Sequence, residues 1–138
     1  MDSERSRELM RRITDEIWDH GRLDQIDELI AEDCVDHLEL PGLEGSGRAR
    51  YRASVEMTRA TFSDFRNPLD AVIADGDVAV SWGRMTGTHD GDGWGFPPTG
   101  KTIDTPVVGM LRFRDGQAVE RWGVTDTMTM LQQLGLLG

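Results

Sequence analysis

Gly95-Phe96-Pro97-Pro98-Thr99-Gly100-Lys101 interrupts the β-rich second half of this chain, and the segments on either side of it decide the fold. Two adjacent prolines cannot donate to a strand ladder, so the stretch lies in a loop. That loop is glycine-rich and runs from Asp90 to Lys101. Upstream, Val78-Ala79-Val80 opens a strand that continues to Gly87-Thr88-His89. Downstream, a second long strand runs from Thr102 to Arg114. Farther out, Asp75-Gly76-Asp77 is a hairpin turn that joins Ala71-Val72-Ile73 to Val78. Asp115-Gly116 turns the second long strand into a last one, Val119 to Asp126, and a short helical piece from Met128 to Leu134 closes the chain.

The first half reads as helices. Leu9, Met10, Ile13, Ile17 and Trp18 recur at helical spacing, and Gly21 supplies the stop. A second, short helix carries Ile26, Leu29 and Ile30 on one face, with Asp24 as its cap. Cys34 to Leu40 runs extended until Pro41-Gly42 breaks it. A third helix begins near Gly47 and buries Tyr51, Val55, Thr58 and Phe62. Helices followed by an antiparallel meander form an α+β pattern. A bent sheet wrapped round helices encloses an apolar cone, a natural place for a small molecule.

The chain has 138 residues, enough for one domain with a core and a modest cavity. Acidic residues outnumber basic ones by 25 to 15, for a net charge of −10. Such a balance argues against nucleic acid and against an anionic membrane, which need a basic footprint. The lone cysteine, Cys34, allows no internal disulfide and suits a reducing compartment. No apolar run approaches the ~20 residues of a membrane span. The first residues, Met1-Asp2-Ser3-Glu4-Arg5, lack an apolar signal core, so the expected location is cytoplasmic.

A series of landmarks, in order and spacing, resembles the SnoaL-like polyketide cyclase family. They are Val35-Asp36-His37, the helix start from Gly47 to Tyr51-Arg52, and Thr61-Phe62-Ser63-Asp64-Phe65. Next come Gly87-Thr88-His89, Pro97-Pro98-Thr99-Gly100-Lys101, Arg112-Phe113, Asp115-Gly116, Glu120-x-Trp122, Asp126 and Gln132-Gln133-Leu134-Gly135. Ser63 departs from a proline frequent in the family, which loosens a turn. The resemblance implies one NTF2-like domain over 1–138: a cone-shaped α+β barrel with N-terminal helices on a curved, mostly antiparallel sheet. It also implies a homodimer, because sheets of this fold commonly pair face to face. An apolar patch on the open sheet face is the feature expected to support that pairing.

The same resemblance points to Asp126 as general acid/base. An aldol ring closure needs a base to remove a proton from an activated methylene and an acid to protonate the new alkoxide, and one carboxyl can do both in turn. An apolar cone is expected to raise the pKa of that carboxyl. The competing role for Asp126 is a cap for the helix that begins at Thr127. His37 and His89 are candidates to orient a substrate carbonyl, with structural hydrogen bonding to backbone as the alternative for each. Trp82, Trp94, Met110 and Trp122 are candidate substrate-binding residues, Trp94 as a lid because it sits in the loop; ordinary core packing is the alternative for most of them. Asp90-Gly91-Asp92-Gly93 lacks the spacing of a calcium loop and reads as a flexible turn. No metal and no cofactor are expected, since His37, His89 and the acids match no ligand spacing. Cys34 has no activating environment and is expected to pack in the core.

Three functions follow. The first is a cofactor-independent cyclase acting on a hydrophobic polyketide-type ester or ketone. The second is another enzyme of the same cone. Limonene-type epoxide hydrolases pair inward arginine and aspartate along a strand, and ketosteroid isomerases use a tyrosine on the first helix. Arg114-Asp115 sits at a turn, and the sole tyrosine, Tyr51, falls on the third helix, so both lose ground. The third is a non-catalytic binding or dimerisation module. It prevails if Asp126 is wholly engaged in capping and the cavity holds no other titratable group.

Overall fold

The computed structural model describes residues 2–137. Helix α1 spans Ser3–Arg12, and Asp2 caps it by accepting the Arg5 N–H at 2.8 Å. It passes directly into a π-helical segment, Ile13–Asp19. The wider turn carries Trp18 in towards Tyr51 while Leu9, Met10, Ile13 and Ile17 stay buried. Asp24 does not cap the next helix. It lies within a 3₁₀ turn, Leu23–Gln25, that leads into α2, Ile26–Leu29, and α2 starts without a side-chain cap. Ile30, expected on that helix, opens strand β1, Ile30–Asp36. An apolar pair at adjacent positions satisfies either element, and pairing with β5 selects the strand. Helix α3 is Gly47–Thr61, with Tyr51, Val55 and Thr58 buried and Phe62 just past its end.

The remaining strands are β2 (Leu69–Asp75), β3 (Val78–Thr88), β4 (Thr102–Arg114) and β5 (Gln117–Thr125), followed by α4, Thr127–Gln133. The sheet order is β1-β5-β4-β3-β2. Every neighbouring pair is antiparallel except β1 with β5, which is parallel. Asp115 and Gly116, at φ 53° and 82°, make the tight turn between β4 and β5.

That hairpin contains the irregularity that matters most. Near the turn Arg114 pairs with Gln117 and Phe113 with Ala118, whereas Arg112 pairs with Glu120 and Leu111 with Arg121. Val119 is therefore an extra residue, a β-bulge. Because side chains alternate with period two, one extra residue exchanges the faces of everything beyond it. Leu111 and Ile103 face the helices, so Arg121 and Gly123 do too, while Glu120, Trp122 and Val124 face away.

Two buried clusters fill the concave side. One joins Leu9, Ile13, Ile17, Ile26, Leu29, Tyr51, Val55, Leu111 and Phe113. The other joins Phe62, Phe65, Met85, Trp94, Ile103 and, from α4, Met130 and Leu134. Trp18 packs against both.

The loop from Asp90 to Lys101 is not the flexible turn its glycines suggest. Asp90 and Gly91 donate their N–H groups to the Thr61 carbonyl. A Cβ on Gly91 would stand 1.8 Å from the Ala60 carbonyl oxygen, and one on Gly93 2.3 Å from that of Met57. The glycines are there for close packing on α3. Ser63 likewise tightens this corner rather than loosening it: its N–H donates to Asp90 Oδ1 at 3.0 Å and its hydroxyl to Asp90 Oδ2. A proline could make neither bond.

Candidate functional site

Asp36 on β1 and Arg121 on β5 are register partners of the parallel pair, and both point inward. Arg121 Nε donates to Asp36 Oδ1 at 2.9 Å and Nη2 to Oδ2 at 2.5 Å. The same Nη2 donates to Ser54 Oγ on α3 at 2.9 Å, and the Leu38 N–H reaches Asp36 Oδ1 at 3.0 Å. The Arg121 side chain is 7% exposed and that of Asp36 is 0% exposed. Charges this deep are retained only when paired and hydrogen-bonded, and this pair is both.

The guanidinium lies over the Tyr51 ring, 4.1 Å from its centroid, and 5.8 Å from that of Trp18. Trp18 Nε1 donates to the Tyr51 hydroxyl at 2.8 Å. Burial pushes the phenol pKa up, against the nearby guanidinium and the Trp18 hydrogen bond, so Tyr51 is protonated at neutral pH. Beside Arg121 the wall is bare: Gly109 and Gly123 face each other across β4 and β5, and the Leu38 side chain fills the dent at Gly123. A cleft of about 580 Å³ lies between β1 and the start of α3, and its lining includes Cys34, Asp36, Glu39 and Arg50.

The residues singled out from sequence are dispersed. Asp126 does not enter the cone and has no raised pKa. It caps α4, accepting the Thr129 N–H at 3.1 Å and the Thr129 hydroxyl at 2.7 Å, and these bonds lower its pKa. His37 lies on the outer face, stacked on Trp122 at 5.0 Å, with Nε2 2.7 Å from Glu120 Oε2. His89 is 1% exposed but serves the loop: Thr99 donates its N–H to Nδ1 at 3.3 Å, and the His89 carbonyl accepts the Gly100 N–H at 2.8 Å. Trp82, Met110 and Trp122 sit on the outer face of the sheet, not in the cone, because of the register set out above. Trp94 is buried against Phe62 in the second cluster rather than laid over a mouth, and its Nε1 has no hydrogen-bond partner among the described residues.

The outer face is apolar across the width of the sheet. Ala71, Trp82, Val108 and Val124 form one row, and Ile73, Val80, Met110 and Trp122 form the next. Trp82 is 41% exposed, Ile73 56% and Val124 69%. Cys34 is buried as expected, and burial pushes its thiol up to about 11.

The Asp36–Arg121 pair was missed in the sequence because Arg121 stands between Glu120 and Trp122, which the unbulged register turns inward. The available signal was β4 itself, where Ile103, Leu111 and Phe113 alternate with Asp104, Arg112 and Arg114.

The fold has counterparts among solved structures. A solved structure of IdmH, a candidate polyketide cyclase from Streptomyces antibioticus, superposes with a TM-score of 0.81 at 29% identity, covering 94% of this chain and 98% of that one. A candidate polyketide cyclase from Acidithiobacillus ferrooxidans gives a TM-score of 0.81 at 30% identity, covering 97% and 96%. An epoxide hydrolase of the limonene type from M. tuberculosis, 14% identical at a TM-score of 0.71 over 96% and 90%, shares the fold. In sequence, the nogalonic acid methyl ester cyclase of Streptomyces nogalater is 28% identical over 116 residues, 83% of this chain and 87% of that protein. The family description "SnoaL-like polyketide cyclase" matches residues 8–134. With its NTF2-like α+β cone and a match over most of its length, the chain belongs to the SnoaL-like polyketide cyclase family.

Proposed function

We propose that this chain is a cofactor-independent cyclase that closes a ring in a hydrophobic polyketide-type ester or ketone by intramolecular aldol chemistry, with Asp36 as the proton-handling group. Membership of the family supports a cyclase-type function. The observation that carries the finer reading is the buried Asp36–Arg121 pair on the concave wall. Asp126 is engaged in its cap, but the interior still holds a carboxylate, so a purely non-catalytic module is the weaker reading. Asp36 takes a proton from the activated methylene, and the resulting enolate carbon attacks the second carbonyl to form the C–C bond. The electron pair of that carbonyl moves to its oxygen, which takes the proton back from Asp36. Atoms are conserved, so no water or cofactor is consumed. Arg121 remains a cation throughout and keeps Asp36 oriented. Trp94, buried against Phe62 with its Nε1 unpartnered among the described residues, is a proposed substrate-binding residue.

Turnover of a panel of polycyclic polyketide esters tests this, at a temperature where circular dichroism shows each variant folded. Asp36→Asn abolishes conversion and Asp126→Asn retains it. Conversion that survives Asp36→Asn and is lost in Asp126→Asn returns the role to the capping carboxylate.

The protein is further proposed to be a homodimer through the outer sheet face, supported by the two apolar rows there. Sedimentation velocity reads a dimer for the wild type and a folded monomer for Trp82→Glu. A monomeric wild type at micromolar concentration contradicts the assignment.

A further inference from the structure

We propose that the Tyr51 hydroxyl is the hydrogen-bond donor that receives the substrate's carbonyl oxygen in the cone, a role that rests on the acid/base reading of the site. A hydroxyl has one proton to donate and two lone pairs to accept with. Trp18 Nε1 occupies the accepting side at 2.8 Å. Among the described residues no acceptor takes the Tyr51 proton. Buried polar hydrogens almost always find a partner, and an unspent one at 1% exposure marks a place built for an acceptor from outside the chain.

The surroundings suit an oxygen that gains negative charge. Arg121 stands 4.1 Å over the ring face and polarises the phenol, making its O–H a stronger donor. Trp18 holds the hydroxyl in place, and it reaches Tyr51 because the helix widens into a π segment at Ile13–Asp19. Asp36, held by the same Arg121, is the nearby base. When it removes the methylene proton, the C–H electron pair moves into the new C=C bond and the carbonyl π pair moves onto oxygen. Tyr51 holds that oxygen by a strengthening hydrogen bond without giving up its proton. Donors fixed in advance where charge develops are an effective way to stabilise such a state. The ligand class is an apolar, planar molecule with an accepting carbonyl.

The test uses two probes of the same shape, 2-acetylnaphthalene and 2-ethylnaphthalene, titrated into the full-length protein and followed by fluorescence. Wild type prefers the ketone by about tenfold, the scale of one hydrogen bond. Its bound C=O stretch moves to lower wavenumber in difference infrared spectra. Tyr51→Phe loses both the preference and the shift but still binds the hydrocarbon. An unshifted C=O band in wild type, an unchanged preference in Tyr51→Phe, or no binding of either probe overturns the proposal. The infrared band is read on wild type, so the proposal is decided even if Tyr51→Phe fails to fold. Ester turnover is scored separately. Selective ketone binding with no turnover keeps Tyr51 and removes the cyclase reading, whereas turnover with a silent Tyr51 does the reverse.

Discussion

Removing one partner of the Asp36–Arg121 pair strands a charge that is almost wholly withdrawn from water. With side chains 0% and 7% exposed, the loss falls in the range for a broken buried pair, about 3–5 kcal/mol. Arg121→Met keeps the volume of the stem while deleting two hydrogen bonds to Asp36 and one to Ser54. Asp36→Leu leaves Arg121 with Ser54 as its one remaining partner among these. For a chain of this size each kcal/mol shifts Tm by about 3–4 °C, so each single variant melts about 10–20 °C lower. The double variant Asp36→Leu/Arg121→Met strands nothing. Replacing a buried pair with apolar groups is commonly neutral or stabilising by about 1–4 kcal/mol, so the double variant is more stable than either single one. The cycle is read by urea and thermal unfolding near neutral pH, and its coupling energy is several kcal/mol. Single variants that each cost under about 1 kcal/mol, or a double variant whose loss is the sum of the two, refute the claim that the pair is desolvated and mutually dependent.

Three other outcomes follow. The Asp126 carboxyl is held below its ordinary pKa of 3.8 by the Thr129 hydroxyl and N–H. Its stabilising effect is therefore present above that value and lost as pH falls through the folded one. Asp126→Ala lowers Tm near neutral pH, and the gap to wild type closes in strong acid; a gap that persists there refutes the cap as its source. Cys34, with its thiol pushed up to about 11, resists a disulfide reagent at mildly alkaline pH until the protein unfolds, so native protein that labels as fast as unfolded protein contradicts the burial. Val119 is the extra residue of the bulge, so deleting it keeps Glu120 opposite Arg112 and Arg121 opposite Leu111 in a straight ladder, and cooperative unfolding persists; a deletion variant that no longer unfolds cooperatively refutes the bulge.

Much of the architecture was legible in the chain. Asp75-Gly76-Asp77 and Asp115-Gly116 mark their hairpins, and the bounds of β4 fall where the apolar alternation begins and ends. Local signals suffice there, because turn geometry and period-two patterning act over a few residues. The loop from Asp90 to Lys101 was legible as a loop but not as a packed one, since its contacts with Thr61, Ala60 and Met57 are remote in sequence.

The candidate site was not legible in the same way. The order of elements, the α+β class and the family follow from residues read in sequence order. Which face each side chain of β5 presents depends on Val119, an unpaired residue whose bulge exists only in the context of its partner strand. That single shift carries Trp122 to the outer face and Arg121 into the cone. Asp36 meets Arg121 only because β1 returns parallel to β5 across 85 residues of chain. The sequence by itself determined which elements form and in what order. Register and long-range pairing, which are tertiary, decided which carboxylate was buried beside a guanidinium and which was left to cap a helix.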